Sequence, residues 1–276
     1  MTRTPARLVA TLIAASVVVA ACGGIRTAST QPSSSTPAGS PSAAASVEPS
    51  ANATPTPTAP PRNPAAYVEG AAYAPNVDPA DFSTTIDNPY FPLAPGTTYV
   101  FEGGTERNEV EVTHDTKVIS GVTTVVVHDR VWDGGVLSEE TYDWYAQDAA
   151  GNVWYFGEDT KKFAGTSVST EGSWLAGVDA AQPGTIMLAD PQVGDVYREE
   201  FLAGHAEDVA RVTKVGGSAT VMAGTYDHIL LTENSTRLEP DVLEQKTYAR
   251  ELGYIFERFI KGGEGTVELV EVRTGG

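Results

Sequence analysis

Cationic side chains are scarce in this sequence. Its 276 residues hold 18 Lys+Arg against 36 Asp+Glu, a formal charge of −18. Affinity for a phosphate backbone comes from Lys and Arg displacing counterions, so nucleic acid is excluded as a partner. Cysteine is scarcer still. The single residue, Cys22, allows neither an intramolecular disulfide nor a Cys-based zinc site. The four histidines, His114, His128, His205 and His228, lack the i, i+2 or i, i+4 spacing that aligns ligands on one strand or helix, so no metal site is predicted from them. No nucleophile elbow, Walker loop, dinucleotide fingerprint, HExxH or EF-hand string occurs. No aromatic residue precedes Tyr67.

These absences divide the chain into three zones. Residues 1–21 carry Arg3 and Arg7 and then the uncharged run Leu8 to Ala21, which reads as a signal peptide too short to persist as a membrane span. The string Val19-Ala20-Ala21-Cys22-Gly23 resembles a bacterial lipobox, which is cut before the Cys. That resemblance implies lipidation of Cys22 by acyl chains, palmitate among them. One chain, at ~0.8 kcal/mol per buried CH₂, holds only marginally, whereas two or three anchor stably. The partner implied is the cell membrane, with the protein facing the extracytoplasmic side. An ordinary secretory signal that leaves a free thiol is the alternative.

Residues 22–64 form a linker holding nine of the 18 prolines among Ser, Thr and Ala. Such a composition cannot bury enough apolar surface to offset the entropy of ordering, so it reads as a disordered tether. It would reach roughly 35 Å if coiled and ~130 Å if fully polyproline-like. Residues 65–276 are the folded domain. Setting aside Arg3, Arg7, Arg26, Arg62 and Glu48 leaves 14 basic and 35 acidic residues, a charge of −21. A chain of this length buries roughly 70% of its unfolded surface in one core.

Period two dominates the domain and predicts an all-β fold: one antiparallel meander closing into a half-barrel, barrel or sandwich. In Val122 to Trp132, Val125, Val127 and Val131 face one way and Thr124, Val126, His128, Arg130 and Trp132 the other. Asp133-Gly134-Gly135 turns the chain into Ser138 to Gln147. Asp148-Ala149-Ala150-Gly151 then fits a type I turn with a G1 bulge leading into Asn152 to Glu158. That turn pairs Asp148 with Asn152, Tyr145 with Tyr155 and Trp144 with Phe156. Tyr142, Trp144, Trp154 and Phe156 then form a core face, and Asp143, Tyr145, Gln147, Val153 and Tyr155 a mixed aromatic and polar one. Further strands are expected over 207–215, 218–221, 226–234, 242–250, 254–261 and 266–273. Asp78 to Ser83 reads as one helical turn, and Gly204 to Ala210 as a short helix or a strand start. Residues 161–193 read as a long excursion covering one face or an opening.

The run Asn88-Pro89-Tyr90-Phe91-Pro92-Leu93-Ala94-Pro95-Gly96-Thr97 resembles the opening of a group of secreted bacterial proteins. These proteins pair Tyr-Phe-Pro-Leu-x-Pro-Gly with a later Ala-Gly-Thr-(Phe/Tyr)-Asp turn, here Ala223 to Asp227, and a Tyr-Ala-Pro-Gly-Val-Gly segment. Here that last segment reads Tyr248-Ala249-Arg250-Glu251-Leu252-Gly253. The resemblance implies an architecture similar to the open half-barrels of bacterial lipoprotein carriers and brings little function with it.

The aromatic hairpin is the strongest functional feature. Asp143, Tyr145, Gln147 and Tyr155 are the candidate ligand-binding residues, lining a cavity for an apolar or sugar-like ligand in a non-enzymatic binding module. Asp143, Asp148, Glu158 and Asp159 gather near the same hairpin. They leave open an envelope carbohydrate enzyme using paired carboxylates, or a calcium site, which wants six to eight oxygens. No other cofactor is expected. A structural display module is the third reading, with its charge serving solubility.

Overall fold

The computed structural model describes residues 61–275. The signal, lipobox and most of the linker lie outside the described residues. A short 3-10 turn, Pro79–Asp81, stands where one helical turn was expected, with the Asp78 carboxylate accepting from the Ala80 N–H. The remaining elements are strands. They begin with β1 (Phe82–Ser83), β2 (Thr97–Gly103), β3 (Glu106–Ile119), β4 (Val122–Asp133), β5 (Val136–Asp148) and β6 (Val153–Ala164). Next come β7 (Ser167–Ser169), β8 (Trp174–Leu175), β9 (Gln182–Met187), β10 (Val196–Arg198), β11 (Glu200–Phe201) and β12 (Asp208–Val215). The last are β13 (Ser218–Val221), β14 (Gly224–Asp227), β15 (Ile229–Thr236), β16 (Leu243–Ala249), β17 (Gly253–Lys261) and β18 (Thr266–Thr274).

All the pairings are antiparallel, as the alternation predicts. The 16-stranded sheet runs β10-β12-β15-β16-β17-β18-β2-β3-β4-β5-β6-β9-β11. The first long strand, β2, thus lies beside the last, β18. The two ends of this path meet on one stretch of chain: β10 pairs with β12 and β11 with β9. Between them the Glu199 N–H donates to the Asp208 carbonyl at 2.9 Å. Consecutive pairing with short turns therefore carries the sheet around into a barrel, and Val196 to Phe201 forms its seam.

Local chemistry sets the turns. Gly134 and Gly135 have φ of 58° and 80°, the left-handed pair a two-residue hairpin requires. At the next hairpin the Gly151 N–H donates to the Asp148 carbonyl and the Asp148 N–H to the Asn152 carbonyl, both at 2.9 Å, which is the expected turn. The Asp148 carboxylate also accepts from the Asn152 amide and the Trp154 indole.

The structure differs from the sequence reading in several places. Tyr226 to Asn234 is not one strand: His228, at φ 55°, breaks it into β14 and β15. Residues 203–205 form a turn closed by a Leu202–Ala206 bridge, and β12 starts at Asp208, so of the two readings of Gly204 to Ala210 the strand start holds and the helix does not. Residues 161–193 are no mere excursion, since β9 is an integral barrel strand. Trp144 does not pair with Phe156, because a bulge interrupts the register between Asp143 and Tyr145. Gly157 lies at that bulge with φ 134°, where a Cβ would run into the backbone of Trp174 and Leu175. Both faces of the hairpin are covered. Phe82 packs edge-on against Trp154 and Phe156 on the outside, while closure of the barrel buries Tyr145 and Tyr155 completely.

Candidate functional site

Three of the four expected ligand residues come together inside the barrel. Tyr145 and Tyr155 are cross-strand partners and stack at 4.9 Å between ring centroids. Phe91 of the lead-in segment closes on Tyr145 at 5.5 Å, and Trp174 on Tyr155 at 5.2 Å, both edge-on. The Tyr155 hydroxyl donates to the Asp143 carboxylate at 2.7 Å. The Tyr145 hydroxyl is buried without a partner among the described residues. Gln147 lies apart from these three, nearer the rim. Its amide oxygen accepts from the backbone N–H groups of Asp87 and Asn88, and its Nε2 donates to the Asp87 carboxylate.

Gln147 thus fixes the motif that carries the family resemblance. Asn88 is buried, and its Nδ2 donates to the carbonyls of Gly151 and Leu188 at 2.9 and 3.0 Å. Tyr90, Phe91 and Leu93 follow it into the core. The Glu251 N–H donates to the Pro89 carbonyl, so two parts of the quoted pattern meet. The void at this end is apolar and measures about 30 Å³, between Phe91, Leu93, Phe101, Val127 and Tyr254.

Around Asp143 the interior is acidic. Asp143 faces Glu158 across the β5–β6 pair, and Thr160 bridges Glu158 to Thr141. Burial, with Glu139 close by, pushes the Asp143 carboxyl up to about 8 against the pull of the Tyr155 hydroxyl. Burial raises Glu158 and Glu200 well above the usual carboxylate range, with neighbouring carboxylates adding to it. Asp208 and Glu257 rise to about 8, first by burial and then by Glu199 and Glu244 respectively. The counterweight is Lys246. Its burial disfavours the ammonium, but Glu199 and Glu257 outweigh that and hold it charged. Burial therefore biases several of these carboxyls toward their neutral form, with Lys246 supporting the ionised charge nearest to it. Asp159 is exposed, and Asp148 is spent on its turn. Among the described residues no group of three or more His, Cys, Asp or Glu is gathered to hold a metal ion.

A larger hollow lies on the opposite face of the seam, and sequence reasoning missed it. The cleft measures about 280 Å³ and is lined by Tyr67, Arg198, Glu207, Arg211, Thr236 and Arg237, with Val196, Val209, Ser235, Pro240 and Val242 completing its walls. The alternation explains the placement. Tyr197 and Ala210 point inward as cross-strand partners, so Arg198, Val209 and Arg211 point outward. Tyr67 is drawn over the seam because its N–H donates to the Val196 carbonyl. Glu207 is buried and held by two hydrogen bonds from Arg237, one of them 2.6 Å from Nη2. Arg198 is 7% exposed. Its guanidinium sits 4.5 Å from the Phe201 ring, 4.8 Å from Tyr67 and 5.3 Å from Tyr73. Parity alone could have marked Arg211 as outward. The β10–β12 pairing that brings it beside Arg198 leaves no trace in sequence.

No protein-family model and no curated protein matches the chain. Two solved structures are similar to it. One is a Bacteroides fragilis protein described as exported and of YmcC-like fold, 12% identical, with a TM-score of 0.42 over 67% of this chain and 99% of that one. The other, from Parabacteroides distasonis and described as a lipoprotein, is 10% identical, with a TM-score of 0.37 over 66% of this chain and 97% of that one. At these values the likeness assigns neither a family nor an activity.

Proposed function

We propose that this protein is a lipid-anchored extracytoplasmic lipoprotein, related to the secreted group whose opening motif it resembles. In this reading it acts as a non-enzymatic module that binds a sugar-like ligand in the seam cleft. The lipobox-like string at Cys22 and the Pro-rich tether of residues 22–64 support the anchoring.

The observation that carries the binding reading is the contrast between the two hollows. Ligand pockets run to roughly 300–1,000 Å³. The apolar void, at about 30 Å³, holds no more than a water molecule. The seam cleft, at about 280 Å³, admits a monosaccharide-sized body, with Tyr67 offering a ring face and Ser235, Thr236 and the arginines offering hydrogen bonds. This favours a sugar-like ligand over an apolar one. Asp143, Tyr145 and Tyr155 then serve the ligand indirectly, by building the interior on which the seam rests.

Binding of the full-length protein in detergent micelles to a glycan array tests this. The expected result is a restricted set of bound glycans, lost on Tyr67→Ala. An array with no bound glycan, or binding indifferent to that substitution, would refute the site.

A further inference from the structure

The seam cleft concentrates positive charge on a domain that has almost none to spare. Of its four charged side chains, Arg198, Glu207, Arg211 and Arg237, three are cationic, within a folded domain whose charge is −21. Arg237 and Glu207 satisfy one another. That leaves Arg198 and Arg211: among the described residues neither makes an ion pair with a carboxylate, although Glu233 stands across the strand pair from Arg211. Arg211 is exposed, so water can serve it. Arg198 is different, because burying a guanidinium without an anion is costly.

The three rings around Arg198 offset part of that cost. Each lies within cation–π range of the guanidinium, at 4.5–5.3 Å, but a ring offers no acceptor to match the N–H donors of the guanidinium. Arg198 is one of the residues that line the cleft. The fold thus surrounds a guanidinium with three rings, and among the described residues no side-chain hydrogen bond or ion pair engages its donors. Two parallel N–H donors at the wall of such a cleft match the oxygens of a carboxylate or phosphate.

Resting on the reading that this cleft holds a sugar-like ligand, we infer that the ligand is anionic. It is a sugar-sized body whose carboxylate or phosphate group engages the Arg198 fork, with Arg211 as the second cation. The long-range field of the acidic domain opposes anions. Selectivity therefore comes from the short-range fork and not from bulk attraction.

Calorimetric titration of the full-length protein in detergent with glucuronate, glucose 6-phosphate and glucose tests the inference. At least one anionic probe is expected to bind roughly ten-fold or more tightly than glucose, as charge-assisted bonds require. Which of the two binds tells carboxylate from phosphate. Arg198→Lys keeps the charge but loses the fork, and is expected to weaken the anionic probe about ten-fold and glucose by clearly less. Should Arg198 variants fail to fold, Arg211→Gln at an exposed position carries the test, with an expected loss of roughly three-fold or more for the anion and a smaller one for glucose. Glucose binding as tightly as both anions overturns the inference and leaves the sugar-binding reading standing. Anion binding indifferent to both substitutions overturns it too, as does no binding by any probe. In that last case the glycan array decides separately whether the binding module falls with it.

Discussion

The pH dependence of stability should run opposite to ordinary acid denaturation, and Asp143→Asn isolates one contributor. In the unfolded chain Asp143 releases its proton near its ordinary value of 3.8, whereas in the folded barrel burial holds it to about 8. Between those values the folded state binds the extra proton. Stability is therefore greatest at low pH and is lost as pH rises toward the folded value. One such group contributes up to about 1.4 kcal/mol per pH unit, hence about 3 kcal/mol between pH 5 and pH 7. Glu139 and Glu158 share the same protons, so the part belonging to one residue is about 1–3 kcal/mol. An Asn at this position still accepts the Tyr155 hydroxyl and never ionises. Urea unfolding followed by Trp fluorescence at pH 5, 6 and 7 should show the variant gaining on the wild type by that amount across the range. Parallel pH profiles for the two proteins would show that Asp143 is ionised in the fold and refute the argument.

Other substitutions probe the frame around the site. Asn88→Ala removes both amide donations to Gly151 and Leu188 and the bond from the Tyr90 N–H, and should cost about 2–4 kcal/mol in a thermal melt. An unchanged melt would mean that the lead-in segment is held by its apolar contacts alone. A Cβ at Gly184 would run into the backbone of Glu199 and Glu200, so Gly184→Ala should destabilise by about 3 kcal/mol, read as a lower urea midpoint. Hydrogen exchange in that variant should rise first at the β9–β11 pairing; uniform change across the barrel would argue against a local seam. Cys22→Ser should move the protein from the membrane to the soluble fraction of a bacterial host. Retention in the membrane fraction would sink the lipid anchor.

Much of the barrel was legible in sequence because it is local. Gly134-Gly135 and Asp148 to Gly151 carry their turn chemistry in two to five residues, and strict alternation in Val122 to Trp132 fixes which side chains share a face. The bulge at Gly157 was not legible, because the backbone of Trp174 and Leu175 that packs against it comes from a later segment. Nor was the break at His228, where a single left-handed residue sits inside an unbroken β pattern. Asp143, Tyr145 and Tyr155 were singled out as neighbours and are neighbours. Whether their face met solvent or core depended on closure of the sheet, which no hairpin encodes.

By itself the sequence determined the antiparallel strands, the principal hairpin turn and the acidity of the domain. Each of these follows from composition or from interactions within a few residues. Only the tertiary structure decided that the acidic face lies inside, that Lys246 stands as a buried cation among carboxyls, and that Arg198 is caged beside Arg211. Each of those requires strands distant in sequence to be brought together. It is the closing of the barrel at Val196 to Phe201 that sets the dielectric and the neighbours of every one of these groups.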